Sequence, residues 1–355
     1  MSMKILVINP GSTSTKISIY EDEREILAQR LNHASEELEE YATIADQFEM
    51  RLDRVLAFLR EHDFDVRRLS AVVGRGGMLP PVKSGAYKVN EAMVRRLRYE
   101  PLVEHASNLG AMIAYEIAKA AGVDAYIYDS VKVDEFTDVA RLTGLPEISR
   151  TSVSHALNSR AMAMKCAASM GTSYSEVCFI VAHLGGGISC TLHDHGRMAD
   201  MVPDNEGPFS PERAGRIPTA DLTKLCFSGT YDERSLQKRL RGGGGVKAHL
   251  NTVDMREVEA RIAEGDAKAA LVLDAMCYQV AKGIGELSTV VCGKVDRIIL
   301  TGGVAHSKTI TGKIKERVEF IAPVEIMPGE NEMEALALGT LRVLRGQETS
   351  REYRE

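Results

Sequence analysis

The chain begins with an apolar run, Ile5 to Ile8, that stops at Asn9-Pro10-Gly11. Four hydroxyl residues follow (Ser12, Thr13, Ser14, Thr15), then Lys16, and then an alternation through Ile17, Ile19 and Tyr20. The β-branched run reads as a strand and the alternation as its antiparallel partner. Residues 178–192 nearly repeat the pattern: Cys178 to Ala182 is apolar, His183-Leu184-Gly185-Gly186-Gly187 is a turn, and Ile188 to Leu192 resumes a strand. Placing Gly11 over Gly185 gives an offset of 174 residues, close to half of the 355-residue chain. A third strand, Arg297 to Leu300, also runs into glycines, Gly302 and Gly303. Two such hairpins at half-chain spacing predict a duplicated α/β domain with a nucleotide held between the halves.

The remaining pattern fills in each half. Residues 35–62 read as helical, with apolar positions at 48, 52, 55, 56 and 59 on a 3.6-residue period. Strands are expected at 69–73, 125–128, 295–300 and 324–327. Helices are expected at 90–97, 108–121, 155–170, 255–287 and 333–345. The first domain should end near 147–150, and the absence of a low-complexity linker suggests a hinge crossed twice. The run Gly242 to Gly245 reads as a flexible surface loop and the charged tail after Arg345 as frayed.

Composition narrows the class. The chain is 44% hydrophobic with a net charge of −6, so it has no general attraction for nucleic acid or anionic membrane, and any phosphate site must be local. No apolar stretch approaches the ~20 residues that span a bilayer. Met1-Ser2-Met3-Lys4 runs straight into a core strand, so a cytoplasmic protein without a secretion signal is expected. The six cysteines (166, 178, 190, 226, 277 and 292) never form Cys-x-x-Cys. They read as buried thiols in a reducing compartment, without a metal or disulfide framework.

The first hairpin joins small residues, backbone amides, hydroxyls and one cation, which are the groups that hold a phosphate. No Gly-x-x-x-x-Gly-Lys-[Ser/Thr] occurs, no Gly-x-Gly-x-x-Gly follows the first strand, and neither His-Glu-x-x-His nor Gly-x-Ser-x-Gly is present. These absences argue against P-loop, dinucleotide, zinc-protease and hydrolase sites. His193-Asp194-His195 reads as a hairpin tip. Phosphoryl transfer needs cations around three oxygens and a carboxylate for the nucleotide's metal. The cations placed where glycines give access are Lys16, Arg75 in Gly74-Arg-Gly-Gly77, and Arg213 in Pro208-Phe-Ser-Pro-Glu-Arg-Ala-Gly215. Asp129 follows a buried strand, where α/β proteins place catalytic groups. Pro328-Gly-Glu-Asn-Glu332 supplies further acids, with Glu330 and Glu332 both open. His155 reads as a ligand, a base, or a hydrogen-bonded histidine at a helix start.

Three of these segments carry a resemblance. Ile8-Asn-Pro-Gly-Ser-Thr-Ser-Thr-Lys16, His183-Leu-Gly-Gly-Gly-Ile-Ser189 and Leu300-Thr-Gly-Gly-Val-Ala-His-Ser307 resemble the two phosphate motifs and the adenosine motif of the acetate kinase (acetokinase) family. That family belongs to the superfamily of acetate and sugar kinases, heat-shock chaperones and actin. Glu206-Gly-Pro-Phe-Ser-Pro-Glu-Arg213, Leu225-Cys-Phe-Ser-Gly229 and Pro146-Glu-Ile with Ser154-His-Ala-Leu-Asn158 are similar to its butyrate branch.

The resemblance implies two ribonuclease H-like (actin-like ATPase) lobes with an interlobe nucleotide cleft. One lobe would comprise 1–149 plus 333–355 and the other 150–332. It implies ATP/ADP as substrate, Mg²⁺, a short-chain fatty acid as acceptor (butyrate, or a branched acid, acetate or propionate) and a homo-oligomer. Asn9, Ser12, Ser14 and Lys16, with His183, Gly185, Gly186 and Gly187, would line the phosphates. Gly302, Gly303, Val304 and Ser307 would border the nucleoside. Arg75 and Arg213 would grip the carboxylate and the transferred phosphoryl, and Asp129 and Glu332 would organise the metal, directly or through water. One departure stands out: the first histidine of the acetate kinase pattern His-Gly-Thr-Ser-His falls on Thr151. A non-enzymatic actin-like ATPase switch is the reading from another class.

Overall fold

The protein is described by a computed structural model covering residues 2–354. Its strands in chain order are β1 (Lys4–Pro10), β2 (Ser14–Glu21), β3 (Arg24–Asn32), β4 (Ala71–Arg75), β5 (Ala86–Lys88), β6 (Asp124–Tyr128), β7 (Cys178–Leu184), β8 (Ile188–Asp194), β9 (Arg197–Val202), β10 (Arg297–Gly302), β11 (Val324–Pro328) and β12 (Arg351–Glu352). They form a seven-stranded sheet in the order β12-β5-β6-β4-β1-β2-β3 and a five-stranded sheet in the order β11-β10-β7-β8-β9. The chain divides into two compact units. One takes the chain up to Asp134 and resumes at Asn331, and the other is Glu135–Glu330.

Each sheet has the same plan. Three antiparallel strands come first (β1-β2-β3 and β7-β8-β9), and two parallel strands are then added beside the opening one (β4 and β6; β10 and β11). Even the irregularity in the second strand recurs, between Ile19 and Tyr20 and between Leu192 and His193. β1 and β7 are buried along nearly their whole length, as central strands with continuous apolar runs should be.

In the first unit, helix Phe48–Glu61 turns Phe48, Val55, Phe58 and Leu59 inward, each worth roughly 1.5–3 kcal/mol of burial. The stretch 35–62 is not one helix: Ser35–Glu39 is separated from Phe48–Glu61 by irregular chain and one 3-10 turn. Asn90 caps helix Glu91–Tyr99 by accepting from Met93 N–H, and Gly122 closes helix Asn108–Ala121. The first unit gives way at Asp134 and not near residue 149. The reason is local: Thr137 N–H donates to Ala199 O, and Arg197 donates to the carbonyls of Glu135 and Phe136, tying this segment to β9.

Two further expectations fail. The tail is not frayed: β12 pairs parallel with β5, Tyr353 is buried, and Glu348 accepts from Tyr128 and Arg342. The glycine run is not a flexible loop either. Gly245 opens helix Gly245–Leu250, Val246 N–H donates to Ser210 O, Lys247 N–H to Pro211 O, and Gly242 N–H to Glu212 O. The run therefore clamps the segment carrying Arg213. His193-Asp194-His195 is a hairpin tip, as expected: His195 and Gly196 form the turn between β8 and β9. Four cysteines are buried and two, Cys226 and Cys292, are exposed, and all six are free. Burial pushes the thiols of Cys178, Cys190 and Cys277 up to about 12. Among the described residues no helix is long and apolar enough to cross a membrane.

Gly245 has φ +64°, and a Cβ there would lie 1.8 Å from Ser210 O. Gly265 also has positive φ, but open space around it. Gly245→Ala is expected to lower unfolding free energy by about 3 kcal/mol or more, through strain and clash together. Gly265→Ala should cost about 1 kcal/mol. Equal costs in urea unfolding would show that the run is not packed as described.

Candidate functional site

In the first unit the parallel strands β1, β4 and β6 end side by side, with Ile8 opposite Gly74 and Arg75 opposite Tyr128. Strand ends of this kind are where α/β proteins expose chemistry. A cavity of about 180 Å³ at this edge is lined by Asn9, Pro10, Gly11, Ser14, Lys16, Arg75, His105, Ser107 and Glu332. Asn9 and Lys16 face each other across the first hairpin. Glu332 begins helix Glu332–Leu344 and closes the cluster by accepting from Asn9 Nδ2 at 2.8 Å and pairing with Arg75.

Burial alone would push the Glu332 carboxyl up. The Arg75 charge, the Asn9 amide and the more distant Lys16 outweigh it and hold the carboxyl below its usual range. Arg75 Nε is buried without a hydrogen-bond partner. The pocket is thus rich in donors and poor in acceptors, which is a description of an anion site.

The sequence named seven of these nine residues, Pro10 and Gly11 as turn formers and the other five as site residues, and missed two, His105 and Ser107. His105 accepts from Ser107 N–H at Nδ1, and burial followed by the Arg75 charge moves its pKa down, so the neutral ring carries its proton on Nε2. Ser12 lies in the exposed turn outside the lining. Asp129 is buried just past β6 with φ 42°, a region few non-glycine residues occupy. Its Oδ1 accepts from Gly85 N–H at 2.7 Å, so one oxygen is occupied in holding the neighbouring loop.

In the second unit, Gly185, Gly186 and Gly187 form the turn between β7 and β8. Gly187 O accepts from Gly185 N–H, and Gly186 O from Glu212 N–H and Ser210 Oγ. Arg213 lies beside this turn, donating to Asp204 and Glu212. His183, at the end of β7, is buried and stacks on His155 with ring centroids 3.9 Å apart and planes 9° from parallel. Asn158 reaches both His183 Nδ1 and Thr301. His155 sits at the start of helix Ala156–Ser169 and meets Ser189 Oγ at 3.0 Å. Thr151 is exposed. The two acids left open separate cleanly: Glu330 lies 3.9 Å from His183, whereas Glu332 belongs with Arg75.

Gly303, Val304 and Ser307 line a second cavity of about 600 Å³ with residues from 253 to 259, a contribution not foreseen from the sequence. Ser307 caps helix Lys308–Val318 and donates to Glu259. Gly302 is not in that lining. It bridges Gly329 at φ +92°, where a Cβ would lie 2.3 Å from Leu184 O. Among the described residues no group of three or more His, Cys, Asp or Glu is placed to hold a metal ion.

The comparisons agree with this architecture. The model of the acetokinase family matches residues 150–337. Butyrate kinase 2 of Clostridium acetobutylicum is 50% identical over 100% of both chains, and butyrate kinase 1 of the same organism is 49% identical over 99% of both. The crystal structure of Porphyromonas gingivalis acetate kinase superposes with a TM-score of 0.80 at 18% identity, covering 96% of this chain and 100% of that one. At that identity the likeness speaks for the fold, and it bears out the expected duplicated actin-like ATPase architecture. The chain belongs to the acetokinase family.

Proposed function

We propose that the protein transfers the γ-phosphoryl group of ATP to a short-chain fatty acid, butyrate foremost, giving an acyl phosphate and ADP, and that it runs in both directions. The observation that carries this reading is the identity of about half the residues with butyrate kinases along the whole chain. The donor-rich pocket of the first unit supports it. A fatty acid near pKa ~4.3–5 is already ionised at pH 7, so its oxygen attacks phosphorus without a general base. The P–O bond to the bridging oxygen breaks, and ADP leaves with the electron pair.

The chemical difficulty is anion meeting anion, and cations and hydrogen-bond donors answer it. We assign Asn9, Ser14 and Lys16 to the phosphoryl group, Arg75 in the first unit and Arg213 in the second to the reacting anions, and Gly303, Val304 and Ser307 to the nucleoside. Mg²⁺ in kinase sites usually keeps several waters and is held by one or two carboxylates together with substrate phosphates. Asp129 and Glu332 would hold it through water, and it would neutralise charge on the phosphates. Direct ligation by Glu332 would compete with its bonds to Arg75 and Asn9 for the same two oxygens.

The reading is tested by ATP-dependent acyl phosphate formation, trapped with hydroxylamine, across straight and branched acids of two to six carbons. Butyrate should react best, with about 10–200-fold lost per methylene added or removed. No product from any acid would refute the assignment. Arg75→Ala and Arg213→Ala should each lower kcat by roughly 10³-fold, and near-normal turnover in both would refute the roles given to them.

Glu332 also makes a pH prediction. Its carboxyl is depressed in the folded protein, so its stabilising contribution is present above the ordinary value of 4.5 and is lost as pH falls through the lower folded value. Glu332→Gln should cost about 2 kcal/mol near neutral pH. In urea unfolding the gap to the parent protein should close below pH 4.5. A gap independent of pH would mean that no charged pair is present.

A further inference from the structure

We propose that Arg51 is a positioning residue for phosphoryl transfer, which turns the first hairpin into a surface of donors alone. The proposal rests on the reading of that hairpin as the phosphoryl holder. A tight turn carries carbonyls as well as amides, and a carbonyl lone pair repels a phosphate oxygen. Here every carbonyl from residue 11 to residue 14 is occupied. Gly11 O accepts from Arg51 Nη1 at 2.8 Å and Ser12 O from Arg51 Nη2 at 2.9 Å. Thr13 O accepts from His33 N–H at 2.9 Å. Ser14 O accepts from Gly11 N–H at 2.7 Å and from Arg51 Nη1 at 3.4 Å.

The donors of the same turn are left over. Among the described residues, the N–H groups of Ser12 and Thr13, the hydroxyls of Ser12, Thr13 and Ser14, and the Lys16 ammonium have no hydrogen-bond acceptor. One guanidinium, spanning two successive carbonyls, accounts for most of this asymmetry, and a planar fork is the group suited to it.

Packing does not explain an arginine at this place. Arg51 is 0% exposed, on the same helix face as Phe48, Val55 and Phe58. Among the described residues it has no carboxylate within ion-pair distance; Gln47 Oε1 takes its remaining donors, Nε at 3.2 Å and Nη2 at 2.9 Å. Burial, then the neighbouring Arg54 charge, moves its pKa to about 10, so it stays charged at neutral pH. The Glu37 charge reaches it only from beyond contact, where that carboxylate is paired with Arg54, and a buried cation with no carboxylate in contact is unfavourable by itself. An anion on the open side of the turn supplies the missing charge through a low-dielectric medium, where attraction is strong. The cation therefore acts on the ligand through the turn and does not touch it.

The test compares Arg51→Lys, whose single nitrogen cannot replace the fork, with Arg51→Ala assayed with and without millimolar guanidinium. Kinetics are measured for ATP and for butyrate. We expect kcat/KM for ATP to fall roughly 10²-fold, as for misplaced reacting groups, while KM for butyrate is unchanged. Guanidinium should restore several-fold activity to Arg51→Ala and none to Lys16→Met. Folded Arg51 variants with parental ATP kinetics would overturn the proposal. If both variants fail to fold, Gln47→Ala, which removes the acceptor holding Arg51, must show the same split at smaller amplitude, and its absence overturns the proposal equally. Lys16→Met and Ser14→Ala separate the two claims. Parental ATP kinetics in both would reject the hairpin as phosphoryl holder, whereas impaired kinetics there beside intact Arg51 variants would reject only the role of Arg51.

Discussion

A carboxylate withdrawn from water has to be met by positive charge and by hydrogen bonds. Glu332 is met by both, from Arg75 and from Asn9. The three residues lie on three different elements: the end of β1, the end of β4 and the start of the helix Glu332–Leu344. The pair fixes the Arg75 guanidinium while leaving its Nε without a partner. It also sets a negative group among the cations of a pocket that would otherwise repel itself. The first unit must consequently be built from two distant stretches of chain, because the acid that balances its pocket comes from the second of them.

The duplicated sheets show how one plan is used in two ways. Strand order and the irregularity in the second strand are shared, but the turns differ. The first turn offers hydroxyls and a lysine. The second offers glycine backbone, with the carbonyl of Gly186 occupied by Ser210 and Glu212. In both, backbone acceptors are occupied by groups from elsewhere in the same unit. The second turn does so without a buried charge, and the segment that supplies its donors is clamped by Gly242 to Gly245.

The strands and most of the first pocket were legible because apolar runs ending in small residues mark strand ends, and strand ends converge. Asn9, Ser14, Lys16 and Arg75 follow from that logic. Glu332 could not be told from Glu330 by pattern, since the change from one unit to the other falls between them. Arg51 was illegible for a different reason. Helical periodicity treats a lone arginine as surface, and only the contacts show it on the inward face. Four glycines in a row look mobile when their partners, Ser210 to Ala214, are some thirty residues away. His105 and Ser107 sit in irregular chain with no strand end to announce them.

The pairing of β12 with β5 sets an order on synthesis. The second unit is continuous, Glu135–Glu330, and all its strands have been made before the first unit has its final helix or its edge strand. At about 5–20 residues per second, the stretch from Asp134 to Glu332 takes roughly 10–40 seconds to make. Throughout that interval the β1-β4-β6 core has no helix Glu332–Leu344 to cover it, and Arg75 has no Glu332. On the ribosome, then, the half of the protein translated first is the half completed last.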